Sequence, residues 1–329
     1  REQAAEAGPS AESAIASFAA QSGDPGPSPV KFLAVVLPVS EQIGFDIIRG
    51  AQEECARRGY YLSFHCTNYD VSKERDIVEG LHRDGARGII VYPCASDENL
   101  DVFSRLYIDR FPFVVIDRKL EGINVPSVVS NNFQGAYEAT SHLLDQGHRN
   151  VAFVCSAIKE AESVVHRYRG YCQALLDRKV PLRQEWVVEE GTDALIKLHY
   201  EPAVHPDKFL ERAAASVEKL IALPEETRPT AIFAVNDFTA MFIQKAAIQR
   251  GLSVPGGLSI VGFDNQPFTA YLEVPLTTIE QPFFEMGRAA ASMLLNVEAE
   301  EVWREPSRVL DVKLIVRESA IAPKTTEKA

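Results

Sequence analysis

The amino-acid sequence predicts an α/β protein made of two lobes, each built around a doubly wound parallel sheet. Short, almost continuously apolar runs such as Lys31–Leu37 alternate with segments whose apolar residues recur at helical spacing, such as Phe45–Arg58. Apolar runs of this kind are typical of parallel strands that helices cover on both faces. The alternation ends near Gly147 and begins again at Val151. Two such series predict two lobes with right-handed connections between their strands.

The first series contains five predicted strands, at Lys31–Leu37, Tyr60–Cys66, Gly88–Tyr92, Phe113–Ile116 and Ser127–Ser130. Its predicted helices are Phe45–Arg58, Val71–Asp84, Ala95–Asp109 and Asn132–Gln146. The last of these helices ends before Gly147, a residue type that is common just beyond the end of a helix.

The second series has predicted strands at Val151–Val154, Trp186–Glu189, Ala231–Val235, Leu258–Gly262 and Thr277–Glu280. Its predicted helices are Arg167–Leu176 and Phe209–Leu223, and further helical segments follow Val235 and Gln281. Asp193–Asp207 lacks a clean period and is predicted to be an inserted loop. Arg1–Pro29 is rich in small and polar residues, which bury too little apolar surface to order a chain. We therefore predict that residues 1–29 are a tail or linker.

The amino-acid composition and charge limit the classes of function that this sequence can have. The 329 residues are 46% hydrophobic and 24% charged, which suits a globular protein with two cores. The net charge of −12 argues against a broad nucleic-acid surface on these residues, and no apolar run approaches the roughly 20 residues of a membrane span. Five cysteines without CxxC spacing predict reduced thiols in a cytoplasmic protein.

Motifs for enzymatic or metal chemistry are not visible in the sequence. It has no G-x-S-x-G motif, no P-loop and no G-x-G-x-x-G after a predicted strand. Its seven histidines show no metal-ligand spacing with cysteines or carboxylates. We therefore expect neither an enzyme nor a metal or cofactor site.

Polar side chains directly follow three predicted strands of the second half. They are Asn236 and Asp237, then Asp264 and Asn265, and finally Gln281. Ligands of open α/β sheets bind just outside the carboxyl ends of the strands. The sequence thus predicts a ligand site lined by carboxylates and carboxamides. Asn and Asp are also good helix N-caps, and for Asp237 capping is the favoured interpretation.

Several phrases, in order along the chain, resemble the effector-binding domain of LacI/GalR-type transcriptional regulators. They include HLLDQGHRNVAFV (His142–Val154), RYRGYCQAL (Arg167–Leu175) and VLDVKLIVRES (Val309–Ser319). Between them lie PTAIFAVND, GLSVPGGLSIVGFDN and LTTIEQPFFEMGRAAA, within Pro229–Leu295. The resemblance spans about Val30–Ala320 and extends to the ribose-binding class of periplasmic proteins.

This resemblance implies the periplasmic-binding-protein-like type I fold, in which the chain crosses between the lobes three times. The crossings, which act as hinges, are expected near Asn131, Gln281 and Ser307. The N-terminal lobe would then comprise residues 30–131 and 281–306, and the C-terminal lobe residues 132–280 and 307–320. Residues 321–329 would form a C-terminal tail.

The resemblance also implies partners: a small carbohydrate effector, a second copy in a homodimer, and operator DNA bound by a separate N-terminal domain. That DNA-binding domain is expected to precede Arg1. The tail lacks the short hinge helix of LacI proteins, so a GntR-type winged helix–turn–helix, as in arabinose repressors, is the favoured alternative. No membrane partner is expected.

By resemblance, six residues would contact the effector: Asp117, Arg118, Arg167, Asn236, Asp264 and Gln281. Carboxylates accept hydrogen bonds, guanidinium groups donate them and carboxamides do both, so this set suits sugar hydroxyls. Arg169 is the competitor for the role of Arg167, and Gln281 could act partly as a hinge residue.

Two places depart from the family pattern. The first crossing reads Asn131-Asn132, where many members have Asp-Asn. The loop PVSEQIGF after the first strand has only Phe45 where two adjacent aromatic residues are usual. Phe45, Ser40 and Glu41 are the predicted contacts from this loop. Trp186 is predicted to be a core residue, while Glu189 or Glu190 could approach the cleft.

These observations predict the ligand-sensing, dimerising domain of a bacterial transcriptional regulator. A small sugar or sugar derivative would bind between the lobes and change their relative orientation, and thereby the spacing of attached DNA-binding domains. The alternative left open by the sequence is a periplasmic sugar-binding protein of a transporter, which shares the fold.

Overall fold

The computed structural model describes residues 31–38, 42–159, 161–190, 206–296, 303 and 307–323. Within these residues the predicted alternation of strands and helices is present, and the predicted α/β fold with two parallel sheets is confirmed. The predicted tail at residues 1–29 and most of the predicted loop Asp193–Asp207 lie outside the described residues. Pro206 and Asp207 already belong to a helix, which therefore starts before the predicted Phe209.

The first sheet contains six described strands, all parallel, in the order β11-β5-β4-β3-β1-β2. They are β1 (Phe32–Leu37), β2 (Tyr61–Cys66), β3 (Ile89–Val91), β4 (Phe113–Ile116), β5 (Ser127–Ser130) and β11 (Arg308–Leu310). The helices of this lobe are α1 (Gln42–Arg57), α2 (Val71–Arg83), α3 (Leu100–Ile108) and α8 (Phe283–Asn296). Separate apolar clusters cover the two faces of the sheet.

The second sheet has four described parallel strands in the order β7-β6-β8-β9, which are β6 (Val151–Cys155), β7 (Val187–Glu189), β8 (Ala231–Ala234) and β9 (Ser259–Val261). Beside β9 lies an antiparallel pair, β10 (Thr278–Glu280) and β12 (Lys313–Ile315). The helices of this lobe are α4 (Asn132–Asp145), α5 (Glu162–Asp177), α6 (Pro206–Ile221) and α7 (Asp237–Gln249).

Helix α5 begins five residues before the predicted Arg167, so Arg167 lies inside the helix rather than at its start. The predicted strand Trp186–Glu189 is shorter than expected, because Gln184–Trp186 forms a 3₁₀ turn. Trp186 is 1% exposed, and its indole N–H donates to the carbonyl of Thr227 at 2.7 Å. This tryptophan therefore packs in the core of the second lobe.

Glycines bring one helix pair of each lobe into close contact. A Cβ atom on Gly50 of α1 would overlap the carbonyl oxygen of Phe284, and one on Gly287 of α8 would overlap that of Ile47. In the second lobe, a Cβ atom on Gly170 of α5 would overlap the carbonyl oxygen of Phe133. Both helix pairs depend on the absence of a side chain at these positions.

The chain passes between the lobes at three places. It leaves β5 at Asn131, whose backbone N–H donates to the carbonyl of Leu310 at 2.8 Å, and then enters α4. It returns after β10 at Gln281 and enters α8.

The third crossing was expected near Ser307, and this prediction is wrong. Arg308–Leu310 pairs in parallel with β5 in the first sheet, and the Ser127 hydroxyl donates to Ser307 Oγ at 2.9 Å. The chain crosses only after Leu310, and β12 then pairs with β10. Residues 307–310 therefore belong to the first lobe. The run VLDVKLIV supplies two short strands, and their apolar pattern does not say which sheet each one joins.

The expected C-terminal tail also starts too early. Nε2 of His148 donates to the carbonyl oxygen of Ile321 at 2.8 Å, and the Ser259 hydroxyl donates to the same oxygen at 3.1 Å. Ile321 is thus held to the second lobe. Residues 324–329 lie outside the described part of the chain.

Candidate ligand-binding site

A cleft between the two lobes has about 850 Å³ of space, part of which is open to solvent. Six residues predicted from the sequence line this cleft, namely Asp117, Arg118, Arg167, Asn236, Asp264 and Gln281. The first two come from the N-terminal lobe, the next three from the C-terminal lobe, and Gln281 from a crossing segment. Both lobes therefore contribute charged side chains to the site.

Asp117 and Arg118 are placed by the end of β4. Asp117 has a left-handed backbone with φ of 60°, an uncommon conformation for a residue with a side chain, and its N–H donates to the carbonyl of Val128 at 3.0 Å. Arg118 donates from Nη1 to the carbonyl of Cys94 at 2.7 Å. Its guanidinium carbon lies 6.0 Å from the centre of the Tyr92 ring. Arg118 is therefore anchored within its own lobe.

A buried carboxylate supports the loop that anchors Arg118. Glu74 is fully buried and accepts from the backbone N–H of Cys94 at 2.7 Å and from Nδ2 of Asn99 at 2.9 Å. Burial raises the pKa of Glu74, while these hydrogen bonds oppose that effect. The network holds the Cys94 carbonyl where the Arg118 guanidinium reaches it.

Arg167 has partners on three sides of its guanidinium group. Nε donates to Oδ1 of Asn132 at 2.8 Å, and Nη1 donates to the carbonyl of Val235 at 2.7 Å. Nη2 lies 3.7 Å from Oδ1 of Asp264, and the guanidinium carbon lies 3.8 Å from the centre of the Phe263 ring. Stacking and hydrogen bonds together fix an arginine much more tightly than a lone ion pair does.

Asp264 lies on a loop with an unusual backbone. Its φ is 120° and that of Asn265 is 55°, so two successive residues with side chains adopt left-handed conformations. Such strain costs free energy and persists only where the surroundings hold it. The Asp264 N–H donates to the carbonyl of Ile279 at 2.7 Å, and Arg317 donates from Nη2 to Oδ1 of Asn265 at 2.7 Å.

Asp237 stabilises the same loop through its carboxylate. Its carboxylate is fully buried and accepts from the N–H of Gln266 at 2.7 Å and from the hydroxyl of Thr278 at 2.5 Å. Burial, followed by the nearby charge of Asp264, raises the pKa of Asp237. Asp237 therefore positions the loop that carries Asp264. The helix cap is Asn236, whose Oδ1 accepts from the N–H of Thr239 at 2.8 Å.

The surroundings of Asp264 shift the pKa of its carboxyl group. Burial raises the pKa of this carboxyl group to about 6, against the opposing effects of Arg167 and of a hydrogen bond from Gln281. The charge of Asp117 from the facing lobe raises it further. Asp264 therefore changes its charge near neutral pH.

Gln281 connects a crossing segment with this carboxylate. Its Nε2 donates to Oδ1 of Asp264 at 2.7 Å. Its Oε1 is buried and has no hydrogen-bond partner among the described residues. A buried carbonyl group of this kind normally has a donor, and a ligand hydroxyl would supply one.

The cleft also contains residues that the sequence reasoning missed. Tyr69, Tyr92 and Phe238 bring aromatic rings to its wall, and Ser156 and Phe283 complete it. Tyr92 and Ser156 come directly after β3 and β6, so the strand-end rule would have found them if it had been applied to every strand. Tyr69 comes three residues after β2.

The loop after β1 does not place its predicted contact residue Phe45 in the cleft. Phe45 is 54% exposed and does not line the cleft, because helix α1 already begins at Gln42 and directs Phe45 elsewhere. Ile43 of the same turn lies in the wall instead. Ser40 and Glu41 lie outside the described residues.

Glu189 and Glu190 do not line the cleft. Glu189 accepts from the N–H of Ile158 at 2.9 Å, and Glu190 accepts from the hydroxyl of Ser216 at 2.9 Å. Glu190 lines a smaller pocket that shares Asn236 and Phe238 with the cleft. Burial raises the pKa of Glu190.

The sequence matches known families over most of its length. Residues 32–200 match the family of periplasmic binding proteins and sugar binding domain of LacI family, and residues 140–320 match the periplasmic binding protein-like domain. The arabinose metabolism transcriptional repressor of Geobacillus stearothermophilus is 32% identical over 285 residues, which cover 85% of this chain and 74% of the repressor. The chain belongs to the LacI family. It is a ligand-sensing domain of the kind found in transcriptional repressors.

Solved structures of LacI-family regulators share this fold. The transcription regulator CcpA of Lactococcus lactis is similar with a TM-score of 0.72 and 23% identity, over 88% of this chain and 99% of CcpA. A LacI family regulator from Enterococcus faecium, with bound ribose, has a TM-score of 0.69 and 24% identity over 89% of this chain and 99% of that protein. Among the described residues of the present LacI-type domain, no helix is long and apolar enough to cross a membrane.

Proposed function

We propose that the interlobe cleft binds a neutral monosaccharide and that this LacI-type domain responds by changing the relative orientation of its lobes. The observation that carries this proposal is the set of Arg167, Asp264 and Gln281, which one network aligns at the edge of the second sheet. Asp117 faces this set from the other lobe, close enough for its charge to raise the pKa of Asp264.

The side chains that line the interlobe cleft suit a polyol better than an anion. Asp117 and Asp264 are acceptors, and the free Oε1 of Gln281 is a third. Arg118 and Arg167 each donate from Nη1 to a carbonyl group, of Cys94 and Val235 respectively, so part of their donor capacity is used within the protein. Sugar hydroxyls can donate to each acceptor, while the rings of Tyr69, Tyr92 and Phe238 can cover the C–H faces of a sugar.

The names of two similar proteins indicate which sugars should be tested first. One relative is named as a repressor of arabinose metabolism, and a structural neighbour contains ribose. Both names point to pentoses, so we take L-arabinose and D-ribose as the leading effectors. The cleft is not assigned an enzymatic role, because the same groups serve binding.

The wider role follows that of the family. We take the domain to act as a homodimer in the cytoplasm, attached to an N-terminal DNA-binding domain of LacI or GntR type. Free cysteines, three of them buried, suit a reducing compartment. Sugar binding would couple to operator binding with about 1–3 kcal/mol, the usual size of allosteric coupling.

Calorimetric titration with a panel of pentoses, hexoses and their phosphates tests the proposal. We expect one neutral pentose to bind and the Asp264→Asn variant to bind it at least about 10-fold more weakly, because a charge-assisted hydrogen bond contributes roughly 1.5–3 kcal/mol. Asp207→Asn, at the exposed start of α6, is the matched control and should bind normally. Unchanged affinity in Asp264→Asn would overturn the site assignment.

A further inference from the structure

A second groove lies where the chain first crosses between the lobes. It has about 770 Å³ of space, part of which is open to solvent, and it shares no lining residue with the cleft. Lys119 lines it from the N-terminal lobe, and His166 and Arg169 line it from α5 of the C-terminal lobe. The lining includes no carboxylate. In a chain with a net charge of −12, this concentration of basic groups is unusual.

The pairing of these basic groups is incomplete. Nζ of Lys119 donates to Oε1 of Glu162 at 3.2 Å, and Nε2 of His166 lies 3.7 Å from the same oxygen. Arg169 is exposed and forms no ion pair with any residue that the structure describes. Burial lowers the pKa of His166, so the positive charge of the groove comes from Lys119 and Arg169, and of these two Lys119 pairs with the carboxylate of Glu162.

The N-terminus of helix α4 opens into the same groove. Asn131 caps the helix by accepting from the N–H of Gln134, and Asn132 and Phe133 begin its first turn. The first N–H groups of a helix have no acceptor within the helix, and they carry a partial positive charge. The N-terminus of a 14-residue helix thus adds to the attraction for an anion.

A buried hydroxyl in the lining gives independent support for a ligand. Ser130 lines the groove and is 3% exposed, yet its Oγ has no hydrogen-bond partner among the described residues. Buried hydroxyl groups nearly always have a partner. An oxygen atom of a bound anion would provide one.

We propose that this groove binds a phosphate group, carried by inorganic phosphate or by a small phosphorylated metabolite. The site combines side-chain cations, helix N–H groups and a hydroxyl, which are the groups that proteins use to bind phosphate. The proposal is separate from that of sugar binding, because the groove and the cleft have different linings.

The groove is connected to the cleft through neighbouring residues. Lys119 follows Arg118 in the chain, His166 precedes Arg167, and Oδ1 of Asn132 accepts from Nε of Arg167. A phosphate that bridges Lys119 and Arg169 would join the two lobes in the present arrangement. Phosphate is therefore a second effector that acts on the orientation of the lobes.

Titration of the whole domain with sodium phosphate, against sodium chloride of equal ionic strength, tests the site. We expect saturable binding that weakens at least about tenfold in the double variant Lys119→Ala/Arg169→Ala, which loses two charge-assisted contacts. Lys245→Ala removes an exposed cation of α7 outside the groove and should bind normally. Absence of phosphate binding, or equal binding by the double variant, would overturn the proposal.

Two further titrations are informative. One compares inorganic phosphate with a phosphorylated polyol, and the other distinguishes binding in the groove from binding in the cleft. Glycerol phosphate in place of inorganic phosphate shows whether an attached polyol strengthens binding. Asp264→Asn should retain phosphate binding while losing sugar binding. If this variant loses phosphate binding instead, the anion occupies the cleft and the groove is not its site.

Discussion

Gln281 and Asp264 are joined by a hydrogen bond of 2.7 Å from Nε2 to Oδ1, so the second crossing segment is tied to a carboxylate that lines the cleft. Gln281 lies between β10 and α8, where a change of lobe orientation has to be accommodated. Under the proposed function, this side chain would link sugar binding directly to lobe movement.

We expect Gln281→Met to weaken sugar binding about tenfold, since the side chain keeps its length but loses a donor to Asp264 and an acceptor for the ligand. The same substitution should raise the pKa of Asp264 further, because the hydrogen bond from Gln281 lowers it. Calorimetry at several pH values measures both effects. Gln173→Met, on the exposed face of α5, is the control. Normal affinity with an unchanged pH profile would contradict this role.

Sugar binding should depend on pH through Asp264. Burial raises the pKa of this group to about 6, and the ionised form is the better acceptor for a hydroxyl. Affinity should therefore increase as the pH rises through about 6, and be about tenfold weaker at about pH 5 than at neutral pH. Isothermal titration across this range measures it, and Asp264→Asn should flatten the profile. A flat profile in the unmodified protein would contradict the assignment.

The same pKa affects stability in the opposite sense. The folded-state pKa of Asp264 lies above its unfolded value, so the folded protein binds more protons between the two values. The contribution of this group is fully present at low pH and is lost as the pH rises through about 6. Comparing the free energy of unfolding of the protein and of Asp264→Asn at several pH values isolates this contribution. A difference that stays constant with pH would contradict the expected linkage.

Asp237→Ala should lower the free energy of unfolding by about 1–3 kcal/mol, because it leaves the buried Gln266 N–H and Thr278 hydroxyl without their acceptor. It should also weaken sugar binding, since the strained loop at Asp264 loses its support. Urea unfolding and calorimetry measure the two effects. Asp237→Asn, whose single carbonyl oxygen can keep one of the two acceptor contacts, should be milder. Equal loss in both variants would contradict a positioning role.

Gly170→Ala should destabilise the C-terminal lobe by about 1–3 kcal/mol, because the added methyl group overlaps the carbonyl of Phe133 and separates α4 from α5. Gly80→Ala is the matched control. A Cβ atom there meets nothing within 4 Å, and alanine favours the helix, so stability should rise by about 0.5–1 kcal/mol. Urea unfolding of both variants measures the difference. A stable Gly170→Ala variant would show that the helices can separate at little cost.

Sequence reasoning was most successful where local signals decide the structure. The strands Phe113–Ile116 and Ser127–Ser130 have the predicted bounds, because short apolar runs between polar turns indicate buried strands. Residues beyond the ends of such strands, including Asp117 and Asp264, line one cleft because the carboxyl ends of the strands of both sheets face it.

The failures lie where distant segments meet. Phe45 was expected in the cleft, but the start of α1 places Ile43 there instead. Ser307 was expected at a crossing, but Leu310 still belongs to the first sheet. The position of Phe45 depends on where α1 begins, and the apolar pattern of Val309–Val316 does not say which sheet each of its strands joins.

The sequence by itself determined the fold class, the family and six residues of the cleft, since periodicity, strand-end polarity and the order of motifs are properties of the chain alone. Only the tertiary structure decided that Asp237 supports the Asp264 loop, that Tyr69 and Tyr92 supply aromatic walls, and that Lys119 and Arg169 share a groove. These relationships join residues far apart in the chain, and only the packing within each lobe and between the lobes brings them within contact distance.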